Sequence, residues 1–288
     1  MGLRKLFKKL KRKRSGNILV RVGRYKLWAN ADHTIEQHLT NHKYYSRNLP
    51  RIAKYMEHKY PQYAIIDVGA NIGDTIALLR SEGVNQQVYL IEGEASYYKL
   101  LQKNLPQFDG AEAYQTFLGE NNSVKQGGVE AARGTAKLNT RTGQTTEIKK
   151  LDDLVNEHAF KNVKLLKIDT DGFDFQILRG SFDFIRNHKP VLFFEYDAVY
   201  LVEQGEHGTK TLDDLLALGY NKIIYYDNFG KMLLSTTLSN RQLVEQLYIY
   251  MSRNDGAFPY FDVCAFHKND DALADEVIKE EMEFYRNN

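Results

Sequence analysis

The sequence predicts an α/β fold with a doubly wound, mostly parallel sheet of seven strands, preceded by an N-terminal cap made of a hairpin and helices. Residues 63–75 pass from a short apolar strand through a glycine turn into helical spacing. Further strand-like runs then alternate with helical stretches along the chain, which is typical of a parallel sheet covered by helices. Several of these strands end in acidic residues, at the edge where such sheets bind ligands.

Composition sets limits on the class of protein. The 288 residues are 43% hydrophobic, enough for one substantial core, and the single cysteine excludes an internal disulfide. No apolar run has the length that a bilayer-spanning helix needs. We divide the chain into a basic amphipathic tail (1–14), a cap (15–60), a main domain (61–269) with an insertion at 119–148, and an acidic C-terminal helix (270–288).

The tail has a charge opposite to that of the rest of the chain. Eight of the 39 basic residues lie in residues 1–14, which contain no acid, so 31 basic and 37 acidic residues remain. Leu3, Leu6, Phe7 and Leu10 share one helical face, which predicts either a helix that binds the anionic cytoplasmic side of a membrane or a solvated tail. The acidic body argues against a nucleic-acid partner. We expect a cytoplasmic protein, peripheral on the inner membrane face if the tail binds there.

The cap is predicted to pack beside the first strand of the main domain and to cover the acceptor. Residues 18–29 alternate around Gly23 and indicate a hairpin, followed by one helix after Asp32 and another after Pro50. The cap histidines show no spacing typical of a metal site, and we expect them to be solvated or partly packed. They are His33, His38, His42 and His58.

The unit at residues 63–75 carries the first candidate ligand site. Its glycines are Gly69 and Gly73, and Asn71 stands where a dinucleotide-binding turn has the glycine that lies against a pyrophosphate. Asp67 adds a negative charge that favours a ligand with a sulfonium or ammonium group, and S-adenosylmethionine is such a ligand. The candidate cofactor-binding residues here are Asp67, Gly69, Ala70, Asn71, Gly73 and Thr75.

The next two strands extend this site. The strand Val88-Tyr89-Leu90-Ile91-Glu92 ends about 20 positions past the turn, where an acidic residue usually binds the ribose hydroxyls, so Glu92 is a candidate ribose ligand. Residues 113–118 predict a third strand whose end, at Phe117 and Leu118, would lie near the adenine. The polar insertion at 119–148 is either a substrate-side element or a mobile loop.

The second half of the chain repeats the alternation. Strands around Leu165–Ile168 and Val191–Phe194 are followed by Asp169 and Glu195, and residues 222–227 and 263–267 predict the sixth and seventh strands. Residues 212–220 predict a helix that ends at a glycine, and residues 272–285 predict an acidic helix.

Motifs in both halves resemble the FkbM family of S-adenosylmethionine-dependent methyltransferases. The motif D-V-G-A-N-I-G of residues 67–73 is similar to one family block, and K-I-D-T-D-G-F-D-F-Q-I-L-R-G of residues 167–180 to another. The resemblance implies a Rossmann-like class I methyltransferase domain, with S-adenosylmethionine as cofactor and Asp169 among its ligands. It also implies O-methylation, commonly of sugar or polyketide hydroxyls. Two residues depart from the family pattern: Asp171 replaces a Glu, and Gly93 replaces a Pro.

Transfer to a hydroxyl requires a residue that removes its proton. The candidates are Asp171 and Glu195, followed by His207 in a Gly-Glu-His-Gly loop, whereas Asp174 is expected to cap a helix. We assign no metal; a divalent metal held by Asp169, Asp171 and Glu195 is the less favoured alternative, because the sequence supplies the carboxylates without showing that they converge. The predicted function is therefore O-methylation of a saccharide or glycan intermediate, that is, polysaccharide modification. The alternatives are a nucleotide-dependent oxidoreductase and a non-catalytic cofactor-binding scaffold.

Overall fold

The computed structural model describes residues 16–126, 128–132, 135–139, 145–253 and 258–288. The predicted tail helix at residues 1–14 lies outside the described residues. No helix in the described part of the chain is long and apolar enough to cross a membrane. The cap consists of β1 (Asn17–Val22), β2 (Tyr25–Asn30), α1 (Ile35–Asn41) and α2 (Asn48–Met56).

The predicted hairpin of the cap is confirmed, and both predicted helix starts are shifted. Strands β1 and β2 pair antiparallel from Asn17↔Asn30 to Val22↔Tyr25. Helix α1 begins three residues after Asp32, with Thr34 at its N-cap. Helix α2 begins at Asn48 rather than after Pro50, because a proline in the first helical turn has no hydrogen bond to lose.

The first half of the main domain alternates strands and helices as predicted. Helix α3 begins at Asp74, two residues later than the apolar spacing indicates, because Asn71 and Gly73 take positive φ angles of 49° and 89° and extend the turn. The elements are β3 (Ala64–Val68), α3 (Asp74–Ser81), β4 (Gln87–Glu92), α4 (Ala95–Asn104) and β5 (Ala111–Gln115).

The predicted third strand at 113–118 is two strands of different sheets. Strand β5 ends at Gln115 in the main sheet, and Phe117–Leu118 pairs instead with the far end of the insertion, as Ile148↔Phe117 and Lys149↔Leu118. The strands of this region are β6 (Phe117–Leu118), β7 (Ser123–Gln126), β8 (Gly128–Ala132), β9 (Thr135–Asn139) and β10 (Thr145–Lys149). Strands β6, β10 and β7 form one small sheet, and β8 and β9 pair with each other.

The second half of the chain supplies the remaining strands and helices of the domain. Its strands are β11 (Val163–Ile168), β12 (Val191–Tyr196), β13 (Tyr220–Asp227), β14 (Met232–Thr237) and β15 (Phe261–His267). Its helices are α5 (Leu151–His158), α6 (Asp174–Arg179), α7 (Phe182–His188), α8 (Ala198–Glu203), α9 (Thr209–Ala217), α10 (Arg241–Ser252) and α11 (Asp271–Asn287).

The main sheet has eight strands in the order β14-β13-β15-β12-β11-β3-β4-β5. Strands β5, β4, β3, β11 and β12 pair parallel, and β15 runs antiparallel between β12 and β13, so β13 points the same way as the parallel strands. The predicted doubly wound, mostly parallel sheet is confirmed. The predicted seven strands become eight, because the chain turns back after β13 and adds β14 at the edge.

Helices cover both faces of this sheet. Alternate residues of each central strand enter opposite clusters: Ile66 and Val68 pack on the face of α5 to α10, whereas Ile65 packs on the face of α3, α4 and α11. All five residues of β3 are buried, which explains why this strand is an unbroken apolar run apart from Asp67. The cap joins the second face, since Val22, Leu27 and Ile52 belong to its cluster.

Two buried polar contacts hold the cap in place. Asn104 at the end of α4 accepts a hydrogen bond from the Trp28 amide at 2.8 Å and donates to the carbonyls of Trp28 and Ile72 at 3.0 and 2.9 Å. Arg51 of α2 forms a two-pronged ion pair with the fully buried Glu281 of α11, at 2.7 and 2.8 Å. The predicted C-terminal acidic helix is thus part of the core packing around the cap.

Candidate active site

A cavity of about 620 Å³ lies at the carboxyl edge of the parallel strands, a volume typical of pockets for small ligands. Its lining combines the loops after β3, β4, β11 and β12 with the cap, the small insertion sheet and the β13–β14 turn. Lys125, Thr146 and Ile148 of the insertion line it, so strands β7 and β10 form part of its wall. The cap residues His33, Tyr45 and Asn48 form another wall.

The structure separates the candidate residues into two groups. Those that line the cavity are Gly69, Asn71, Thr75, Glu92, Phe117, Leu118, Asp169, Asp171 and Glu195. The remaining four, which lie outside the lining, are Asp67, Ala70, Gly73 and His207.

The turn after β3 brings backbone close to the cavity. Gly69 has φ +78°, and a Cβ at this position would overlap the carbonyl oxygen of Asp169 on the neighbouring loop. Only glycine allows the two strand ends to approach this closely. Ala70 and Gly73 support the turn from within: Ala70 is fully buried in the core, and Gly73 is the N-cap of α3 against Leu101.

Asp67 does not offer a free carboxylate to a ligand, which corrects the sequence-based expectation. The side chain is fully buried, and Lys167 of β11 lies opposite it in the parallel register with its Nζ 2.9 Å from Asp67 Oδ1. Burial alone would lower the pKa of Lys167, but the carboxylates of Asp67 and Asp169 raise it above its usual range. Lys167 therefore stays charged and neutralises Asp67 inside the protein.

Glu92 is anchored in the cavity wall by two backbone amides. Asn71 donates its amide to Oε2 at 2.8 Å, and Glu94 donates its amide to Oε1 at 2.7 Å. Burial raises the pKa of Glu92 to about 7, although both amides oppose the shift. Because the side chain is only 7% exposed, Glu92 is not merely the solvated end of a strand. Its remaining lone pairs can accept hydrogen bonds from a ligand.

Gly93, which replaces a Pro of the family pattern, packs against an aromatic ring. A Cβ at position 93 would overlap the ring of Phe117, which packs directly over the glycine. Phe117 and Leu118 line the cavity beside Glu92, where the sequence placed the adenine. The chain thus combines a glycine after Glu92 with an aromatic ring that occupies the space above it.

Asp174 does not cap its helix, contrary to expectation. It accepts hydrogen bonds from the Thr170 amide at 3.2 Å and hydroxyl at 2.9 Å, and from the Glu195 amide at 3.2 Å. Helix α6 has Phe173 at its N-cap without a side-chain hydrogen bond. Burial raises the pKa of Asp174 to about 7. This side chain ties the loop after β11 to the end of β12, which places Asp169 and Asp171 beside Glu195.

Glu195 meets a carboxyl group that the sequence analysis missed. Asp262 of β15 lies directly opposite Glu195 of β12 in the antiparallel register, and both line the cavity. Asn48 of α2 donates to Asp262 Oδ2 at 2.9 Å. An acid at the end of a strand marks this edge only for parallel strands, whereas β15 is antiparallel and brings its first residues to the same edge. The direction of β15 was the information needed to find Asp262.

His207 lies away from the cavity and is not placed to act on a bound ligand. Its Nδ1 hydrogen-bonds the Thr209 hydroxyl, its Nε2 is 3.7 Å from Glu245 Oε1, and its ring packs on Tyr248. Its side chain is 47% exposed. Two cap histidines, His33 and His38, line the cavity instead. Nδ1 of His33 accepts the Ile35 amide at 3.3 Å, so Nε2 carries the proton and donates to Asn71 Oδ1 at 3.1 Å.

The cavity is strongly acidic. Seven acidic residues and two lysines line it in the described part of the chain, and one of those lysines, Lys167, is paired with Asp67. The acidic residues are Asp74, Glu92, Asp169, Asp171, Glu195, Asp197 and Asp262. Among the described residues, no group of three or more side chains is arranged to hold a metal ion. Such a cavity favours neutral or cationic ligands over phosphates.

Sheet order, cavity position and an acidic residue at the end of the second strand together define a Rossmann-like class I methyltransferase domain. The family model described as the methyltransferase FkbM domain matches residues 67–222, more than half of the chain. The chain therefore belongs to the FkbM family of S-adenosylmethionine-dependent methyltransferases, as its motifs indicate. No curated protein matches the chain.

Solved structures resemble the chain at low identity. The methyltransferase FkbM from Methylobacillus flagellatus KT is 18% identical with a TM-score of 0.41, over 58% of this chain and 40% of that one. A Methanococcus jannaschii fibrillarin pre-rRNA processing protein is 10% identical with a TM-score of 0.41, over 72% and 67%. M. jannaschii TYW2 in complex with AdoMet is 10% identical with a TM-score of 0.39, over 88% and 87%. These similarities identify neither substrate nor mechanism.

The residues present fit the cofactor of this family. The close approach of Gly69 to Asp169 leaves bare backbone at the cavity, and Glu92 offers a buried, anchored carboxylate for hydroxyl groups. Asp169 keeps 56% of its side chain exposed, with Lys167 Nζ at 3.5 Å. These side chains thus provide acceptors for a ribose and for an ammonium group. The amides of Gly69, Asn71 and Gly73 in the turn are already hydrogen-bonded within the protein, which leaves them less suited to a pyrophosphate.

Proposed function

We propose that this protein transfers a methyl group from S-adenosylmethionine to a hydroxyl group of a saccharide or glycan intermediate. The observation that supports this most directly is the division of one cavity into two parts. The sheet order places Glu92 and the β3 turn at the β3–β4 end of the cavity, and Glu195 with Asp262 at the β12–β15 end. One part suits the cofactor, and the other offers a proton acceptor to a second substrate.

The residues of the first part would hold the cofactor. Bound S-adenosylmethionine supplies a methyl group activated on a sulfonium sulfur. Glu92 accepts hydrogen bonds from the ribose hydroxyls, Asp169 binds the ammonium group, and Phe117 with Leu118 packs against the adenine. The acidic lining also stabilises the positive charge of the ligand.

The residues of the second part would orient the acceptor and remove its proton. Glu195 is the first candidate for the base, since it lines the cavity and its amide is fixed by Asp174 at 3.2 Å. Asp171 is the second, on a loop held by the same side chain. The cap excludes water from this part, which aligns the two substrates and prevents side reactions.

The lining suits a polyhydroxylated acceptor without negative charge. Tyr45, Tyr200 and Tyr260 offer apolar ring faces with polar hydroxyls, and the carboxylates beside them accept hydrogen bonds from sugar hydroxyls. A phosphorylated or uronic acid acceptor would meet the acidic residues as like charges. We therefore expect neutral or amino sugars to be preferred.

The alternatives predict different ligands. A nucleotide-dependent oxidoreductase would have to place a pyrophosphate among seven acidic residues, which the electrostatics disfavour. A non-catalytic scaffold would bind S-adenosylmethionine without transferring its methyl group.

The test begins with calorimetric titration of S-adenosylmethionine and, separately, NAD into the full chain and its Glu92→Ala and Asp169→Asn variants. We expect saturable binding of S-adenosylmethionine alone, weakened about tenfold or more in both variants, and unchanged in the exposed control His207→Ala. Transfer of labelled methyl to a pool of neutral, amino and phosphorylated sugars follows. Binding of NAD would contradict the proposal, and binding without transfer to any sugar would favour the scaffold.

The tail at residues 1–14 is proposed to bring the enzyme to anionic membranes, where lipid-linked glycans are assembled. Its eight basic residues carry the attraction, and each basic residue near an anionic surface contributes about 1 kcal/mol. Deletion of residues 2–14 should abolish sedimentation with vesicles that contain an anionic lipid. Unchanged sedimentation of the deleted form would leave only a solvated tail.

A further inference from the structure

Glu195 and Asp262 form a carboxyl pair across two adjacent strands. In the antiparallel register between β12 and β15 the two residues are direct partners, and both side chains face the cavity. Partners of this kind have Cβ atoms about 4.5–5.5 Å apart. Two carboxylates so close together in a partly desolvated site do not both ionise near neutral pH, so the pair retains a proton.

The surroundings strengthen this effect. From the loop after β11 the pair is faced by Asp169 and Asp171, from α6 by Asp174, and from the segments before α2 and β15 by Tyr45 and Tyr260. The nearby cation, Lys167, lies 2.9 Å from Asp67 and is paired there. Burial is the main cause that raises the pKa of Glu195, and the carboxylates of Asp169, Asp174 and Asp262 raise it further. Burial also raises the pKa of Asp262 to about 7.

Asn48 gives the carboxyl groups of Glu195 and Asp262 different affinities for the proton. Its Oδ1 accepts the Leu49 amide at 3.0 Å, which directs Nδ2 to Asp262 Oδ2 at 2.9 Å. A donor on Asp262 favours its ionised form, so Asp262 holds the negative charge and Glu195 the proton. The arrangement couples the cap, which carries Asn48, to the protonation of the acceptor site.

We propose that Glu195 and Asp262 act together as one base, which shares a single proton in the resting enzyme and, once that proton has left to solvent, accepts the proton of the acceptor hydroxyl. The proton-accepting step rests on the proposed function, whereas the shared proton does not. As the hydroxyl oxygen forms its bond to the methyl carbon, the carbon–sulfur bond breaks and leaves its electron pair on sulfur. The hydroxyl proton moves to the doubly ionised pair, which again shares one proton between its two carboxyl groups and later releases it to solvent.

A pair is a better base at neutral pH than a lone carboxylate. An ordinary Glu or Asp has a pKa near 4 and is a weak proton acceptor, whereas general bases work best when their pKa lies near the operating pH. The charge of the second carboxylate raises the pKa at which the pair takes up its first proton. Asp262 is therefore a member of the base rather than a structural side chain.

The test is a pH titration of the free full-length protein by carboxyl ¹³C NMR, with Asp and Glu labelled at the side-chain carbon. Signals of the pair are assigned by their loss in Glu195→Gln and Asp262→Asn. We expect Asp262→Asn to lower the pKa of Glu195 by about one unit or more, because it removes a like charge. Glu195→Gln should lower the pKa of Asp262 similarly, which provides a second measurement if one variant does not fold.

Asn48→Ala is the matched variant, which should shift the pKa of the pair in the opposite direction. Removal of the donor destabilises the ionised Asp262, so the pKa of the pair should rise, whereas Asp262→Asn lowers it. A general loosening of the site would move both variants in the same direction. Two results would overturn the proposal. In one, Glu195 and Asp262 titrate near the usual pKa values of Glu and Asp; in the other, substitution of either residue leaves the pKa of the other unchanged.

Activity separates this inference from the proposed function. The acid limb of the pH profile of kcat/KM should move to lower pH in Asp262→Asn and to higher pH in Asn48→Ala, and Glu195→Gln should lose about 100-fold or more in kcat. A coupled titration without methyl transfer to any sugar would contradict the proposed function and with it the catalytic step. Independent titration would contradict the pair, whatever the activity.

Discussion

At the scale of single residues, the site depends on carboxyl groups whose partners are backbone amides. Glu92 accepts the amides of Asn71 and Glu94, and Asp174 accepts those of Thr170 and Glu195. Each carboxyl thereby holds two loops of the cavity at a set distance. Hydrogen bonds to a carboxylate are stronger than those between neutral groups, so such side chains position the loops as well as offering lone pairs to ligands.

Substitution Glu92→Gln tests this double role. The amide side chain has one acceptor oxygen, so either Asn71 or Glu94 loses its partner at a buried position, at a cost of about 1–3 kcal/mol. We expect S-adenosylmethionine affinity, measured by calorimetry, to fall about tenfold or more. The exposed Glu112→Gln on the next strand is the control and should leave the affinity unchanged. Equal affinities for Glu92→Gln and the wild type would remove Glu92 from the site.

Gly93 and Phe117 form a second residue-scale pair that can be tested. Gly93→Ala places a methyl group in the ring of Phe117, so we expect the unfolding free energy from urea titration to fall by about 1–3 kcal/mol. In a Phe117→Ala background the same change should cost much less, because the ring is absent. Additive effects of the two substitutions would show that the cost of the added methyl group does not come from the ring.

At the scale of elements, the cap and the C-terminal helix stabilise each other through one buried ion pair. Arg51 is 11% exposed at its side chain and Glu281 is fully buried, and Tyr285 also accepts a hydrogen bond from Arg51 at 2.8 Å. The cap in turn supplies Asn48, His33 and Tyr45 to the cavity. Packing between the cap and α11, away from the sheet edge, therefore affects the shape of the cavity wall that the cap forms.

Breaking this ion pair should destabilise the whole domain. Glu281→Gln leaves the buried guanidinium without its counter-charge, and we expect a loss of about 3–5 kcal/mol in urea-derived unfolding free energy. Replacement of both members by Met should cost far less. The exposed pair Lys210–Asp214 on α9 is the control, where Asp214→Asn should cost at most about 1 kcal/mol. A small effect at Glu281 would mean that apolar contacts alone hold α11.

At the scale of the whole molecule, the concentration of buried acids at one sheet edge makes stability depend on pH. Burial raises the pKa of Glu92, Asp174 and Asp262 to about 7 in the folded protein, above the values near 4 of the unfolded chain. The folded state therefore holds protons that the unfolded state has lost between about pH 4 and pH 7. Stability from these groups is complete below pH 4 and is lost as the pH rises through 7.

The unfolding free energy of the free protein should accordingly decrease between pH 5 and pH 7. Each group of this kind contributes up to about 1.4 kcal/mol per pH unit. Urea titrations at several pH values should show a shallower slope for Glu92→Gln, which has one such group fewer. A stability that rises with pH over this range would contradict the shifted pKa values.

Sequence alone determined the sheet and its ligand edge. Period and composition placed β3, β4, β11, β12, β13 and β15, because short β-branched runs and helical spacing are local signals. The motifs also led to the FkbM family and to Glu92, Asp169 and Glu195 at the cavity. Local patterns carry this information since strand ends in a parallel sheet meet at one edge.

Tertiary structure alone decided which side chains face the cavity and which neutralise one another. Asp67 lies at a strand end like Glu92, but the parallel register places Lys167 opposite it and removes its charge from the site. Asp262 begins a strand, yet the antiparallel direction of β15 brings it to Glu195. His207, a candidate base, lies outside the cavity lining, and Asp174 binds the amides of Thr170 and Glu195 instead of capping its helix. Pairing partners and strand directions depend on contacts between residues far apart in the chain, which the local pattern of a single sequence does not contain.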